Sequence, residues 1–235
     1  MVELAQRAGW VVYKAPAPWW IESHLRDLQR VVGFDTAVDV GAHVGEYAYR
    51  LRHVAGFAGP IVSFEPDPPS LALARERMAG DAAWTGVPLA LGRVSEKRVL
   101  HVHARSDFSS FRSMTDYGDE LWGQEVVREV EVDVARLDDV ADRYLPSDAR
   151  VLLKVDTQGF DVDVIEGGRQ TVADHVVALQ VEVPIRNLYE DAPSLPEMVD
   201  LVHDLGFDVT WISPVARRPD LRLDEVDFVA RRRNP

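Results

Sequence analysis

The stretch Thr36-Ala-Val-Asp-Val-Gly-Ala-His-Val-Gly-Glu-Tyr47 constrains this chain more than any other. Thr36 to Val40 is a short apolar run that reads as a buried strand, with Asp39 near its carboxyl end. Gly41 and Gly45 bracket a tight turn, and Val44, Tyr47, Ala48, Leu51 and Ala55 then recur at helical spacing. Strand, glycine turn and helix together bring a nucleotide against a helix N-terminus. Glycine serves there because a Cβ blocks close approach or forbids a positive φ. The pattern is D-x-G-x-x-x-G rather than the G-x-G-x-x-G of dinucleotide enzymes, which favours S-adenosylmethionine (SAM), a ligand with no pyrophosphate to cradle. The same two glycines also serve packing alone in many parallel-sheet proteins, so the rest of the chain has to decide.

Ile61 to Glu65 reads as a second strand, and Pro66-Asp67-Pro68 opens a helix with Asp67 as its cap. Leu71, Ala74 and Met78 mark the inner face of that helix. Glu65 ends its strand somewhat beyond the separation of about 20 residues usual for a ribose-binding acid. Upstream, Ile21, Leu25, Leu28 and Val32 give an amphipathic helix, with Trp19 and Trp20 packing it or roofing a pocket.

Trp84 to Leu91 reads as strand three. Residues 92–134 break the rhythm and form an insertion of two strands, Arg98–Val102 and Glu125–Val134, around a polar-aromatic loop too long for an ordinary connection. His101 and His103 share one face of the first of these, with no third metal ligand beside them. Arg150 to Asp156 is strand four, followed by a Thr157-Gln158-Gly159 turn and a helix from Phe160 to Gly167. Val176 to Val183 is strand five, ending near Glu182, and a helix from Pro196 closes at Gly206. Phe207–Ile212 and Val226–Ala230 follow, joined by a loop too short for a parallel crossover, so this pair is antiparallel. The order defines an α/β, doubly wound, Rossmann-like sheet of seven strands, mostly parallel with an antiparallel last strand. That last strand separates SAM methyltransferases from nicotinamide dehydrogenases. One domain over residues 1–235 is expected, with residues 1–34 as an N-terminal helical cap.

The net charge of −13 opposes phosphate backbones and anionic lipid heads, so neither nucleic acid nor membrane is an expected partner. With no cysteine, disulfides, thiolate metal sites and thiol nucleophiles are excluded. Residues 1–20 lack the continuous apolar core of a signal peptide, and no stretch reaches the length of a membrane span, making the cytoplasm the expected location. A homo-oligomer is compatible with the sequence.

Four blocks carry a family resemblance: Val38–Tyr47, Val62–Pro68, Leu153–Asp161 and Leu179–Val183, with Leu188-Tyr-Glu and the Leu205-Gly-Phe207 turn in the same order. Together they resemble the FkbM family of SAM-dependent methyltransferases. The resemblance implies a class I methyltransferase fold with strand order 3-2-1-4-5-7-6, and O-methylation of a hydroxyl on a sugar, glycoside or polyketide. It further implies that Asp39, Gly41, Ala42, His43 and Gly45 line the methionine half of SAM, that Glu65 takes the ribose, and that Pro66 and Asp67 flank the adenine. Ala90 is implied beneath the adenine ring, and Ser109 and Ser110 over the cofactor. The family generally carries asparagine where this chain has His43, and Asp161 is a shorter acid than the family's glutamate.

Methyl transfer to oxygen needs an aligned acceptor and a proton acceptor. Asp156 and Glu182 end neighbouring strands on the ligand-binding edge. Lys154, one of three lysines, lies on the same side of its strand as Asp156 and must meet a carboxylate if buried. Asp156 is the leading candidate base. The alternative is that Asp156 and Glu182 hold a divalent cation such as Mg²⁺. Two other functions stand beside this one, a non-catalytic SAM-binding module and a dinucleotide-dependent oxidoreductase, the latter disfavoured by the glycine pattern and the terminal strands.

Overall fold

The computed structural model describes residues 20–122, 125–218 and 220–233. Trp19 and the rest of the first segment of the expected helical cap lie outside the described residues. Helix α1 (Ile21–Val32) opens the described chain and is followed by β1 (Thr36–Val40), α2 (Glu46–Arg50, continued by a π-helical turn Leu51–Ala55), β2 (Ile61–Phe64) and α3 (Pro68–Arg77). Next come β3 (Trp84–Val87), β4 (Ala90–Leu91), β5 (Glu96–His103), α4 (Asp116–Trp122), β6 (Val126–Ala135) and α5 (Leu137–Val140). The last third holds β7 (Val151–Val155), α6 (Asp161–Gly167), α7 (Arg169–His175), β8 (Val176–Pro184), α8 (Leu195–Asp204), β9 (Phe207–Arg217) and β10 (Leu223–Arg232).

Seven strands form one sheet in the order β3-β2-β1-β7-β8-β10-β9. The pairs from β3 to β8 are parallel, and β10 is antiparallel to both of its neighbours. Counting only these strands, the order is the expected 3-2-1-4-5-7-6. The sheet is apolar on both faces because both are covered. On one face Val38, Leu153, Leu179 and Phe228 pack with Leu137, Val164, Val172 and Met198. On the other, Ala37, Ile61, Leu152 and Val229 pack against Leu25, Leu28, Ala48 and Leu51 of α1 and α2. Helix α3 starts at the foreseen cap, the Asp67 carboxylate accepting from the Ser70 backbone N–H. Among the described residues, no helix is long and apolar enough to cross a membrane.

Two readings of the sequence need correction. The run Trp84–Leu91 is not one strand. It breaks at Pro88-Leu89, and Ala90–Leu91 pairs in parallel with β6 in a separate three-stranded sheet, β4-β6-β5. Proline has no N–H for the ladder, so the strand cannot run through it. The helix after Gly159 ends at Gly167 as expected, and α7 follows it across Gly168. The insertion loop, finally, carries structure of its own. It contains a 3₁₀ turn at Ser106–Phe108 and helix α4. Phe108 and Met114 pack on Leu188 and Tyr189.

Gly41 shows why this turn tolerates no side chain. Its φ is +76°, and an added Cβ would lie 1.9 Å from the Asp156 carbonyl oxygen. The obstacle is thus the neighbouring strand end, rather than a ligand. Gly45 shares φ +76° but would meet Ala74 at only 3.1 Å, while Gly56 at φ +82° has open space. In urea unfolding, Gly56→Ala is expected to lose only the ~1–2 kcal/mol of a left-handed alanine. Gly45→Ala should lose somewhat more, and Gly41→Ala far more, to the point of failing to fold. Equal losses at the three positions would show that backbone approach does not govern this turn.

Candidate active site

A cavity of about 450 Å³ opens at the carboxyl ends of β1, β2, β7 and β8, within the usual range for small-molecule sites. Its floor is the β1 turn and the ends of β7 and β8. Ile21, Glu22 and Leu25 of α1 form one wall and Ser213–Val215 of β9 another, while Ser106, Asp107 and Ser109–Phe111 of the insertion supply the roof. Of the residues singled out in the sequence, Gly41, Ala42, His43, Glu65, Pro66, Asp67, Ala90, Ser109, Ser110, Lys154, Asp156 and Glu182 all line it.

Asp39 and Gly45 do not. Asp39 is 0% exposed and lies beneath the floor. One of its oxygens accepts from Ser63 Oγ at 3.0 Å, and the other lies 3.2 Å from Lys154 Nζ. Trp84 Nε1 donates in turn to Ser63 Oγ. Register explains the grouping: Ser63, Asp39 and Lys154 are partners across β2, β1 and β7, so their side chains leave the same face at one level. Against the expected methionine contact, Asp39 stays below the cavity and pairs with Lys154. Gly45 instead gives α2 room against Ala74 of α3.

Lys154 Nζ also lies 3.4 Å from Asp156 Oδ2 and donates to the Gly41 carbonyl at 3.0 Å. Burial by itself would depress this ammonium, but Asp156 and Asp39 outweigh it and hold the pKa well above the ordinary range. Lys154 is therefore a fixed cation rather than a proton carrier. Asp156 is the outermost member, its side chain 35% exposed toward the cavity.

Glu65 accepts backbone N–H bonds from His43 at 2.7 Å and Asp67 at 2.8 Å, one on each oxygen. Burial pushes its pKa up to about 7 against the pull of these two bonds. His43 occupies φ +48°, a region in which asparagine, aspartate and histidine are the enriched non-glycine residues. Its Nε2 is 2.7 Å from Ser106 Oγ, and burial lowers its pKa, with Asp107 opposing, so the imidazole is neutral. Ser110 Oγ donates to the Gln158 carbonyl at 2.6 Å, whereas the buried Ser109 Oγ has no partner.

Reading the sequence missed three contributors. Gln158, taken as a turn residue, places Nε2 2.9 Å from Asp156 Oδ1 and 3.0 Å from Glu182 Oε2. Tyr189 donates to Gln158 Oε1 at 2.8 Å. Asp227 of β10 faces Glu182 across the strand pair, its pKa raised to about 7 by burial and then by Asp156. Burial, followed by Asp156, Glu225 and Asp227, likewise raises Glu182 well above the usual carboxylate range. A divalent cation fits poorly between Asp156 and Glu182, because an amide nitrogen already donates to both. No group of three metal-ligating side chains occurs among the described residues; His101 meets Glu129 at 3.2 Å.

SAM fits better. Each Glu65 oxygen keeps a lone pair for a ribose hydroxyl, Ser109 Oγ is an unmet polar atom at the cavity, and the acidic lining suits a sulfonium. A seven-stranded sheet of this order with its site at these strand ends defines the class I methyltransferase fold. The family model of the methyltransferase FkbM domain matches residues 39–209. The chain belongs to the FkbM methyltransferase family, whose methyl donor is SAM. Among solved structures it is similar to methyltransferase FkbM from Methylobacillus flagellatus KT, with 15% identity and a TM-score of 0.52 over 83% of this chain and 43% of that one. The present chain thus spans less than half the length of that protein. It is also similar to the magnesium protoporphyrin IX methyltransferase of Synechocystis PCC 6803 with bound SAM, at 9% identity and a TM-score of 0.48, over 90% of this chain and 78% of that one. No curated protein matches.

Ribose hydroxyls donate, so they favour ionised Glu65. Since Glu65 holds its proton up to about pH 7 in the free protein, SAM affinity should rise as pH climbs through 7 and then level off. Glu65→Gln should bind SAM more weakly and lose this pH limb. Calorimetry on both sides of neutral pH reads it, and a flat wild-type profile would remove the ribose assignment.

Proposed function

We propose that this chain is a SAM-dependent O-methyltransferase acting on a hydroxyl of a small molecule or glycan, a sugar, glycoside or polyketide. The observation that carries the reading is Asp156. It is a partly exposed carboxylate fixed at the cavity floor beside the β1 turn, with Lys154 and Gln158 holding it from either side. SAM, when bound, supplies an electrophilic methyl group on a sulfonium.

The chain's own residues have three tasks in such a transfer. Glu65 and the Gly41–His43 turn hold the nucleoside and methionine ends. Asp156 takes the acceptor hydroxyl proton as the oxygen–carbon bond forms and the carbon–sulfur bond breaks. Lys154 keeps that carboxylate in place and balances part of the surrounding negative charge. Neutral His43 adds no positive charge beside the sulfonium. The insertion and α1, over and beside the cavity, form the walls against which an acceptor is oriented. Polyols suit this lining, which offers carboxylate, amide and hydroxyl partners.

Asp156→Asn keeps the shape and removes the proton acceptor. Turnover on a hydroxylated acceptor should fall by about 10²–10⁴ while SAM affinity stays near wild type. Labelled SAM with a panel of glycosides and polyketides supplies the assay, and EDTA should leave the wild-type rate unchanged. Full turnover in the Asn variant would remove Asp156 as the base. An EDTA-sensitive, Mg²⁺-restored rate would return the cation to the site.

A further inference from the structure

We propose that Gln158 is a positioning residue for methyl transfer: its side-chain amide holds the Asp156 and Glu182 carboxylates in one arrangement toward the acceptor hydroxyl. The proposal rests on the reading of Asp156 as base. It begins with the backbone. Gln158 sits at φ +53°, a region where asparagine or glycine is favoured and glutamine gains nothing locally. A residue held against its local preference at the floor of a site points to a task for its side chain.

That task is visible in the contacts. One nitrogen commits both of its protons, at 2.9 Å to Asp156 and 3.0 Å to Glu182. The amide orientation is fixed, because flipping it would set a carbonyl oxygen against two carboxylates. On the far side, the buried Tyr189 hydroxyl meets Oε1 at 2.8 Å and also lies 3.0 Å from the Phe108 carbonyl. The Gln158 carbonyl accepts from Ser110 Oγ, and Arg112 Nε donates to the next carbonyl, Gly159, at 2.7 Å. The insertion therefore clamps the turn that aims the amide.

Neighbouring charges make an uncharged donor valuable here. The pair is faced by Lys154 from β7, His43 from the β1 turn, Asp161 from α6, and Glu225 and Asp227 from β10. Three acids, Asp161, Glu225 and Asp227, and one ammonium, Lys154, thus surround the two carboxylates. Hydrogen bonds to the ionised form of a carboxyl favour it, so removing the amide donor should raise the titrations of the pair. Asparagine is too short to reach both partners, yet it suits the left-handed backbone better.

Gln158→Asn and Tyr189→Phe test this, read by carboxyl NMR titration of Asp156 and Glu182, by the pH dependence of kcat, and by SAM affinity. Gln158→Asn is expected to fold, regaining from the left-handed backbone part of the stability at neutral pH that is lost with the amide's bonds to the two carboxylates. Its paired carboxylates should titrate higher by roughly one pH unit, the acid limb of kcat should move up with them, and KM and SAM affinity should barely change. Tyr189→Phe keeps the ring and should shift both readings the same way by less. Unmoved titrations in both variants would overturn the proposal, as would titrations that move while the acid limb does not. Full turnover in Asp156→Asn would instead fail the base assignment. The titrations need no acceptor, so they read the Gln158 bridge independently of that result.

Discussion

The buried ammonium of Lys154 holds this site together. It sits among the Asp39 and Asp156 carboxylates and the carbonyls of Val40 and Gly41. An unpaired ammonium at this depth would cost several kcal/mol, so the arrangement persists only while all four partners stay in place. Three of them belong to the end of β1 and its turn, and one is the residue after β7. The same contact that neutralises the charge thus pins the β1 turn against the β7 turn. Gly41 is required at this junction because the two backbones meet there, with no space for a Cβ.

From that junction the site grows outward in both directions. Toward β2, Asp39 passes its second oxygen to Ser63, which receives the Trp84 indole. Toward β8, Asp156 passes to Gln158 and then to Glu182. Acids outnumber cations along this line, and burial raises Glu65, Glu182 and Asp227 together. A site so biased suits a sulfonium better than an anion.

The insertion does more than roof the cavity. Arg112 donates to the Gly159 carbonyl and pairs with Asp163, Tyr117 bonds Asp224 of β10, and Arg128 pairs with Asp67. It therefore touches the turn after β7, the antiparallel strand and the cap of α3. The sequence showed two strands around a polar-aromatic loop here but not this anchoring, since the partners lie tens of residues away and leave no periodic trace.

What the sequence determined is the frame. Apolar runs and glycine turns specified most of the strands and the antiparallel final pair, because these follow from local periodicity and short connections, while the strand order came with the family resemblance. Motif spacing likewise placed Glu65, Asp156, Lys154 and Glu182 at strand ends on one edge. Only the tertiary structure decided which face each side chain entered and what it met there. Asp39 proved to lie under the floor, since register aligns it with Ser63 and Lys154. Ala90 left strand three because Pro88 broke the ladder. Gln158, Tyr189 and Asp227 joined the site through contacts across 24 or more residues, or across strands paired in opposite directions. A hydrogen bond between distant residues is a property of the packed chain, and no local pattern encodes it.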